Sequence, residues 1–141
     1  MVSLVETLSK RSCLTIDKNE QISTLASILK NHNIGCLVVL DKDTANPVGI
    51  VSERDLVKNF QKILNREIVL VKDIMTSNII SCDLSASSKE LMEVMTKKKI
   101  RHLPIIDNNK LLGIVSIGDV VNRIIFHYEE ETKFLKEYIN N

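Results

Sequence analysis

The chain has 141 residues, 44% of them hydrophobic and 26% charged, with 19 basic against 18 acidic side chains. Such a composition suits a globular protein that buries roughly 70% of its unfolded surface. A formal charge of +1 excludes broad attraction to nucleic acid or to an anionic membrane, so any anionic ligand must be held locally. Cys13, Cys36 and Cys82 form no CxxC pair and have no metal-like spacing to His32, His102 or His127, so neither a zinc site nor a disulfide framework is expected. The stretch Met1-Val2-Ser3-Leu4-Val5-Glu6 meets an acidic residue before a signal-peptide core can build. No apolar run approaches about 18 residues. A cytoplasmic, reducing location is the expectation.

In chain order, Leu14-Thr15-Ile16 is a short strand candidate. Asp17-Lys18-Asn19-Glu20 has the form of a capping box, and Ile22, Leu25, Ala26, Ile28 and Leu29 recur at helical spacing, predicting a helix that ends near residues 31–33. Two β-branched apolar runs, residues 36–40 and 48–51, flank a polar segment from Asp41 to Pro47 and predict two strands joined by a turn. After Ser52, residues 53–60 carry acidic groups early and a basic group later, as a short helix does. Residues 61–73 contain neither Gly nor Pro and read as an ordered connector.

The same order then returns. Ile79-Ile80-Ser81-Cys82 is a strand candidate, and Ser87-Ser88-Lys89-Glu90 opens a helix carrying Leu91, Met92, Val94 and Met95, with the two Met residues as core filler. Strands over residues 103–106 and 111–115 flank the turn Asp107-Asn108-Asn109-Lys110, and residues 117–138 read as an extended terminal helix. Lys97-Lys98-Lys99 and Glu129-Glu130-Glu131 are solvated helix faces. Phe126, Tyr128, Phe134, Leu135, Tyr138 and Ile139 leave the terminal helix apolar beyond the second repeat, a surface suited to a dimer partner.

Residues 49–57, Gly-Ile-Val-Ser-Glu-Arg-Asp-Leu-Val, recur as residues 113–121, Gly-Ile-Val-Ser-Ile-Gly-Asp-Val-Val, at a shift of 113 − 49 = 64. Upstream, Ile34 to Asp41 lies over Ile100 to Asp107 at a shift of 100 − 34 = 66. An internal duplication therefore organises the chain. It divides into residues 1–66, the first repeat with an N-terminal segment and connector, and residues 67–141, the second repeat with an extended C-terminal helix. Each repeat is a small, mostly antiparallel three-stranded sheet with two helices, an α/β (α+β) unit. One such sheet cannot cover both its faces, so the two repeats should pack with pseudo-twofold symmetry into one compact module.

Four stretches carry a resemblance: Val71-Lys72-Asp73-Ile74-Met75-Thr76, Ile100-Arg101-His102-Leu103-Pro104-Ile105, Gly113 to Val121, and Gly49 to Leu56. Together they resemble a tandem pair of CBS (cystathionine beta-synthase) domains, or Bateman module, of the stand-alone kind. The resemblance implies two clefts between facing repeats that take adenosine-containing ligands, a non-catalytic regulatory role toward an unknown target protein, and pairing into homodimers. AMP, ADP, ATP, NAD(H) and S-adenosylmethionine all remain open as the ligand. No catalytic cofactor, metal, nucleic acid or membrane partner is implied.

Ser52 and Ser116 stand where a strand gives way to a helix, whose free N–H groups and dipole favour an anion. Asp55 and Asp119, three residues on, are placed to accept two hydrogen bonds from a vicinal diol such as a ribose. The competing reading of Ser-x-x-Asp is helix capping alone. Against it, Asp is shorter than the Glu or Gln that best closes a capping box, and both copies follow a strand at the sheet edge where ligands gather. One expected cleft comprises Ser81, Arg101, His102, Leu103, Pro104, Ser116 and Asp119, with Leu103 and Pro104 as an apolar wall for a purine. The other comprises Thr15, Ile16, Leu37, Val38, Ser52, Arg54 and Asp55. Arg101 and His102, able to hydrogen-bond a phosphate, make the former the more complete.

Two functions compete on this reading, with a nucleotide-dependent enzyme of scattered catalytic residues as a weaker third. A non-catalytic sensor passes ligand occupancy to a partner or a dimer interface, whereas a structural adaptor keeps its clefts empty. No nucleophile and base pair, Gly-rich phosphate loop or metal triad supports an enzyme.

Overall fold

The structure is a computed structural model that describes residues 2–140; Met1 and Asn141, the outer ends of the two expected halves, lie outside the described residues. The first half begins with helix α1 (Leu4–Ser9), strand β1 (Thr15–Asp17) and helix α2 (Ile22–His32). Strands β2 (Cys36–Leu40) and β3 (Pro47–Ser52) follow, then helices α3 (Glu53–Lys58), α4 (Phe60–Leu64) and α5 (Val71–Ile74). The second half contains helix α6 (Ser88–Lys98), strands β4 (His102–Asp107) and β5 (Lys110–Ser116), and helix α7 (Ile117–Asn140).

The first sheet runs β1-β2-β3, with β1 parallel to β2 and β2 antiparallel to β3. In the second, β4 and β5 pair antiparallel, and the third strand contracts to one parallel bridge between Cys82 and Ile105. Its bonds are the Cys82 N–H to the Pro104 carbonyl and the Ile106 N–H to the Cys82 carbonyl, each 2.9 Å. The expected strand at Ile79–Cys82 is thus reduced to its last residue. The β4–β5 turn is built on Asn108 and Asn109, both at positive φ, a region that Asn tolerates.

Local chemistry sets the helix ends. Ser87 caps α6 by accepting the Glu90 N–H at 3.2 Å. The expected capping box at Asp17 to Glu20 does not form; the Asp17 carboxylate instead accepts the Asn19 and Lys42 N–H groups, fixing a turn, and α2 starts later at Ile22. Asn33 and Lys99, 66 residues apart, end α2 and α6 in the left-handed conformation. The helix expected over residues 53–60 breaks at Asn59, and the connector carries α4 and α5.

Two cores follow the duplication, but each borrows from the other half. The first joins Ile16, Leu25, Leu29, Leu37, Val39 and Val51 to Val69, Val71 and Ile74 of the segment leading into the second repeat. The second joins Leu91, Met95, Leu103, Ile105, Val115 and Val120 to Val5 and Leu8 of α1, which precedes the first repeat. Val5 and Leu8 are the counterparts of Val71 and Ile74 at the shift of 66. Each such buried side chain contributes about 1.5–3 kcal/mol.

The crossings require the repeated glycine. A Cβ on Gly49 would lie 2.6 Å from the Met75 sulfur and 3.0 Å from the Thr76 carbonyl oxygen, and one on Gly113 would lie 3.0 Å from the Leu8 carbonyl oxygen. Gly118 is different, with its nearest contact at 3.6 Å to the Ser116 hydroxyl. Gly49→Val should therefore destabilise the fold by about 1–3 kcal/mol through overpacking. Gly118→Ala should leave it within about 1 kcal/mol of the parent, on the stabilising side. Urea unfolding midpoints measure both.

Candidate functional site

Each strand-to-helix junction is pinned to the entry of the middle strand beside it. The Glu53 N–H donates to the Gly35 carbonyl at 3.0 Å, and the Ile117 N–H donates to the Arg101 carbonyl at 2.8 Å. These are equivalent positions in the two repeats. Because the repeats face each other, the two middle-strand entries, Gly35-Cys36 and Arg101-His102, meet in the same place.

A cavity of about 470 Å³ opens there, within the size range of small-molecule sites. Its lining includes Gly35, Cys36, Ile50, Ser52, Glu53, Arg54, Asp55 and Lys58 from the first half. Thr76, Asn78, Ile80, Lys99, Ile100, Arg101 and His102 from the second half complete it. Arg101 and His102, grouped by sequence with Ser116 and Asp119, thus line the cavity of Ser52, Arg54 and Asp55. His102 remains paired across the β4–β5 ladder with Ser116, so it stands between the two junctions.

At this junction the capping box closes with aspartate. The Ser52 N–H and hydroxyl donate to Asp55 Oδ2 at 2.8 and 3.1 Å, and the Ser52 hydroxyl accepts the Asp55 N–H at 3.4 Å. The second junction repeats the arrangement, with the Ser116 N–H 2.9 Å from Asp119 Oδ2 and the Asp119 N–H 3.1 Å from the Ser116 hydroxyl. Aspartate is therefore long enough, and its length does not count against capping. Capping engages only Oδ2. Oδ1 of Asp55 has no hydrogen-bond partner among the described residues, nor has Oδ1 of Asp119, and Asp55 lines the cavity.

The second junction is occupied differently. Arg11 donates through Nη2 to Asp119 Oδ2 at 3.3 Å and to the Ile114 carbonyl at 3.2 Å. At the first junction the equivalent strand residue, Ile50, exchanges backbone hydrogen bonds with Thr76 at 3.0 and 2.9 Å. Burial acts to raise the Asp119 carboxyl, but the Ser116 N–H and the Arg11 guanidinium outweigh it and hold the group below the ordinary carboxylate range. Arg54, Lys58, Lys99 and Arg101, by contrast, make no ion pair among the described residues. Four cations face the two carboxylates Glu53 and Asp55, so the cavity has a positive balance.

Several apolar residues expected at the clefts are core instead. Ile16 and Leu37 belong to the first core and Leu103 to the second, and Val38 and Pro104 are buried within their strands. Inward-facing strand residues serve the sheet before they can serve a ligand. Ile50, Ile80 and Ile100 supply the apolar wall in their place. Thr15 is taken up in the β1–β2 ladder opposite Val38, and Ser81 is exposed beside Ile80 outside the cavity lining. Lys58, Thr76, Asn78 and Lys99 escaped the sequence reading. The duplication itself could have pointed to Lys99, which is the counterpart of Asn33 next to a middle-strand entry.

Burial pushes the Cys36 thiol up to about 12, with the Asp55 charge adding to it, and pushes Cys82 up to about 11. Both remain protonated and unreactive as nucleophiles near neutral pH.

This chain belongs to the CBS domain family: the family's model matches residues 5–62 and 71–125, one domain for each repeat. It is therefore a CBS pair, a Bateman module, and a non-catalytic regulatory unit. An uncharacterized protein of Methanopyrus kandleri is 33% identical over 135 residues, which span 92% of this chain and 68% of that one. A mitochondrial CBS domain-containing protein of Arabidopsis thaliana is 35% identical over 118 residues, and there the match spans only 56% of the relative's length. Among solved structures, a CBS-domain containing protein from Agrobacterium tumefaciens superposes with a TM-score of 0.76 at 35% identity, covering 84% of this chain and 90% of that one. A CBS domain pair in complex with 5′-methylthioadenosine and S-adenosyl-L-methionine superposes with a TM-score of 0.77 at 26% identity, covering 91% and 99%.

Burial holds the His102 imidazole below its ordinary value, opposed by the Asp119 carboxylate and reinforced by the Arg101 charge. The unfolded chain then binds the proton more readily. Its contribution to stability is full above the unfolded value of about 6.5 and is lost as pH falls toward the lower folded value. The urea midpoint should drop between about pH 7 and about pH 5.5, and His102→Gln should flatten that part of the profile. A parent profile already flat over this range would contradict the assignment.

Proposed function

We propose that the cavity between the repeats binds an adenosine-containing ligand and that its occupancy fixes the relative setting of the two halves, which a partner protein or a dimer interface then reads. One observation carries this reading. Asp55 of one repeat, its Oδ1 left out of the capping hydrogen bonds, lines a cavity with Arg101 and His102 of the other. A ribose diol donates to the carboxylate, the purine lies against Ile50, Ile80 and Ile100, and a phosphate or other anionic group meets Arg54 and Arg101. CBS modules often bind adenosine ligands, and the bound pair of adenosine derivatives in one solved relative supports the reading. AMP, ADP, ATP and NAD(H) carry the anion that these cations favour, so they rank above S-adenosylmethionine here.

The module acts as a homodimer in a reducing compartment. Support for pairing comes from Val57, Phe60 and Leu64 on α3 and α4 and from Val121 and Ile124 on α7, all exposed apolar groups on the equivalent helices of the two repeats. Support for the compartment comes from three free cysteines.

Thermal or urea unfolding in the presence of each nucleotide tests the proposal. A ligand at 100 times its dissociation constant should stabilise the fold by about 2.7 kcal/mol. Asp55→Asn keeps an acceptor for the Ser52 N–H but loses one for the diol, and it should weaken binding about tenfold or more with little change in stability. Arg101→Ala should weaken phosphate-bearing ligands more than adenosine. No shift with any adenosine compound would leave the structural adaptor.

A further inference from the structure

The family match ends at Ile125, yet α7 continues to Asn140. Residues 124–140 are all exposed. An α-helical segment of that length runs about 25 Å, and helices in proteins draw most of their stability from packing an amphipathic face, which this segment leaves exposed in the single chain.

The sequence of the extension points to what the partner is. Two apolar stripes run along it. One, through Ile124, Tyr128, Leu135 and Tyr138, places Glu131 in the middle of its seam. The other, through Val121, Ile125, Tyr128, Leu135 and Ile139, places Thr132 there instead, and the Thr132 hydroxyl is already satisfied by the Tyr128 carbonyl at 2.9 Å. All five of those apolar residues are exposed, from 39% at Val121 to 78% at Ile139. They recur as heptad a and d positions, with Ile125, Thr132 and Ile139 at a and Val121, Tyr128 and Leu135 at d. In this register Glu131 falls at g and Lys136 at e of the next heptad. That is the pair of positions that form an ion pair between two parallel strands.

We propose that the α7 extensions of two copies of this chain pair as a short parallel coiled coil, each Glu131 meeting the Lys136 of the other copy. A second copy fits because the helix supplies both charges of the pair and a self-complementary seam, as a twofold interface requires. This rests on the homodimer reading above and names a surface for it that starts at the end of the second CBS repeat and runs beyond it.

Oxidative cross-linking of the full chain tests the pairing, with the parent as the background for its own cysteines. In a parallel coil the d positions of two copies are adjacent, whereas f positions point apart. Leu135→Cys should form a disulfide-linked dimer about tenfold faster than Glu130→Cys, whose f position keeps its thiols beyond disulfide reach. Adding Lys136→Glu to Leu135→Cys should slow the reaction, and adding Glu131→Lys as well should restore it. Equal rates for the two cysteine positions, or indifference to charge reversal, would overturn the proposal. Light scattering of the parent separates the failures: a dimer without preferential Leu135→Cys cross-linking sinks the coil alone, whereas a monomer sinks both the coil and the homodimer.

Discussion

The packing of Val5 and Leu8 onto the second repeat, and of Val71 and Ile74 onto the first, is the contact on which the rest of the molecule depends. Each repeat leaves part of its core open, and the segment leading into the other repeat closes it. The close approach needs Gly49 and Gly113, where any side chain would run into backbone atoms or a packed methionine. The two halves are interlocked rather than merely adjacent. That interlock brings both middle-strand entries together and leaves the cavity between them.

Duplication alone would give two equal clefts, and the chain departs from equality at the segments that cross. Thr76 meets Ile50 through its backbone, leaving the Asp55 carboxylate without an ion pair among the described residues, whereas Arg11 reaches the Ile114 carbonyl with its side chain and at the same time engages Asp119 Oδ2. The exposed Arg11–Asp119 pair is itself weak, about 0–1 kcal/mol. It nevertheless places a positive charge on the carboxylate that a diol would use. The cations without an ion pair among the described residues gather instead at the Asp55 side, from both repeats, and it is on this positive balance that the proposed binding of an anionic nucleotide rests.

Much of this was legible in the residues. The Gly-Ile-Val-Ser repeat located both returning strands and both junctions, and the Ser-x-x-Asp spacing located Asp55, one of the two carboxylates that line the cavity. Helix α1 was not legible, because six residues with two buried positions give no periodicity to read. Its absence concealed the crossing, and with it the fact that Arg101 and His102 share a cavity with Asp55. The misassigned walls have a different origin. Leu37 and Leu103 sit beside the site in sequence, but strand alternation turns them into the cores. Side-chain length does not bar aspartate from a capping box, since Oδ2 reaches the cap N–H at both junctions, at 2.8 and 2.9 Å.

A crystal structure of the chain grown with an adenine nucleotide tests the central claim most directly. The account predicts density in the cavity between the repeats, with a ribose hydroxyl at hydrogen-bond distance from Asp55 and the phosphates toward Arg54 and Arg101. A cavity left empty at saturating nucleotide, or a nucleotide bound elsewhere with Asp55 turned to solvent, would contradict it.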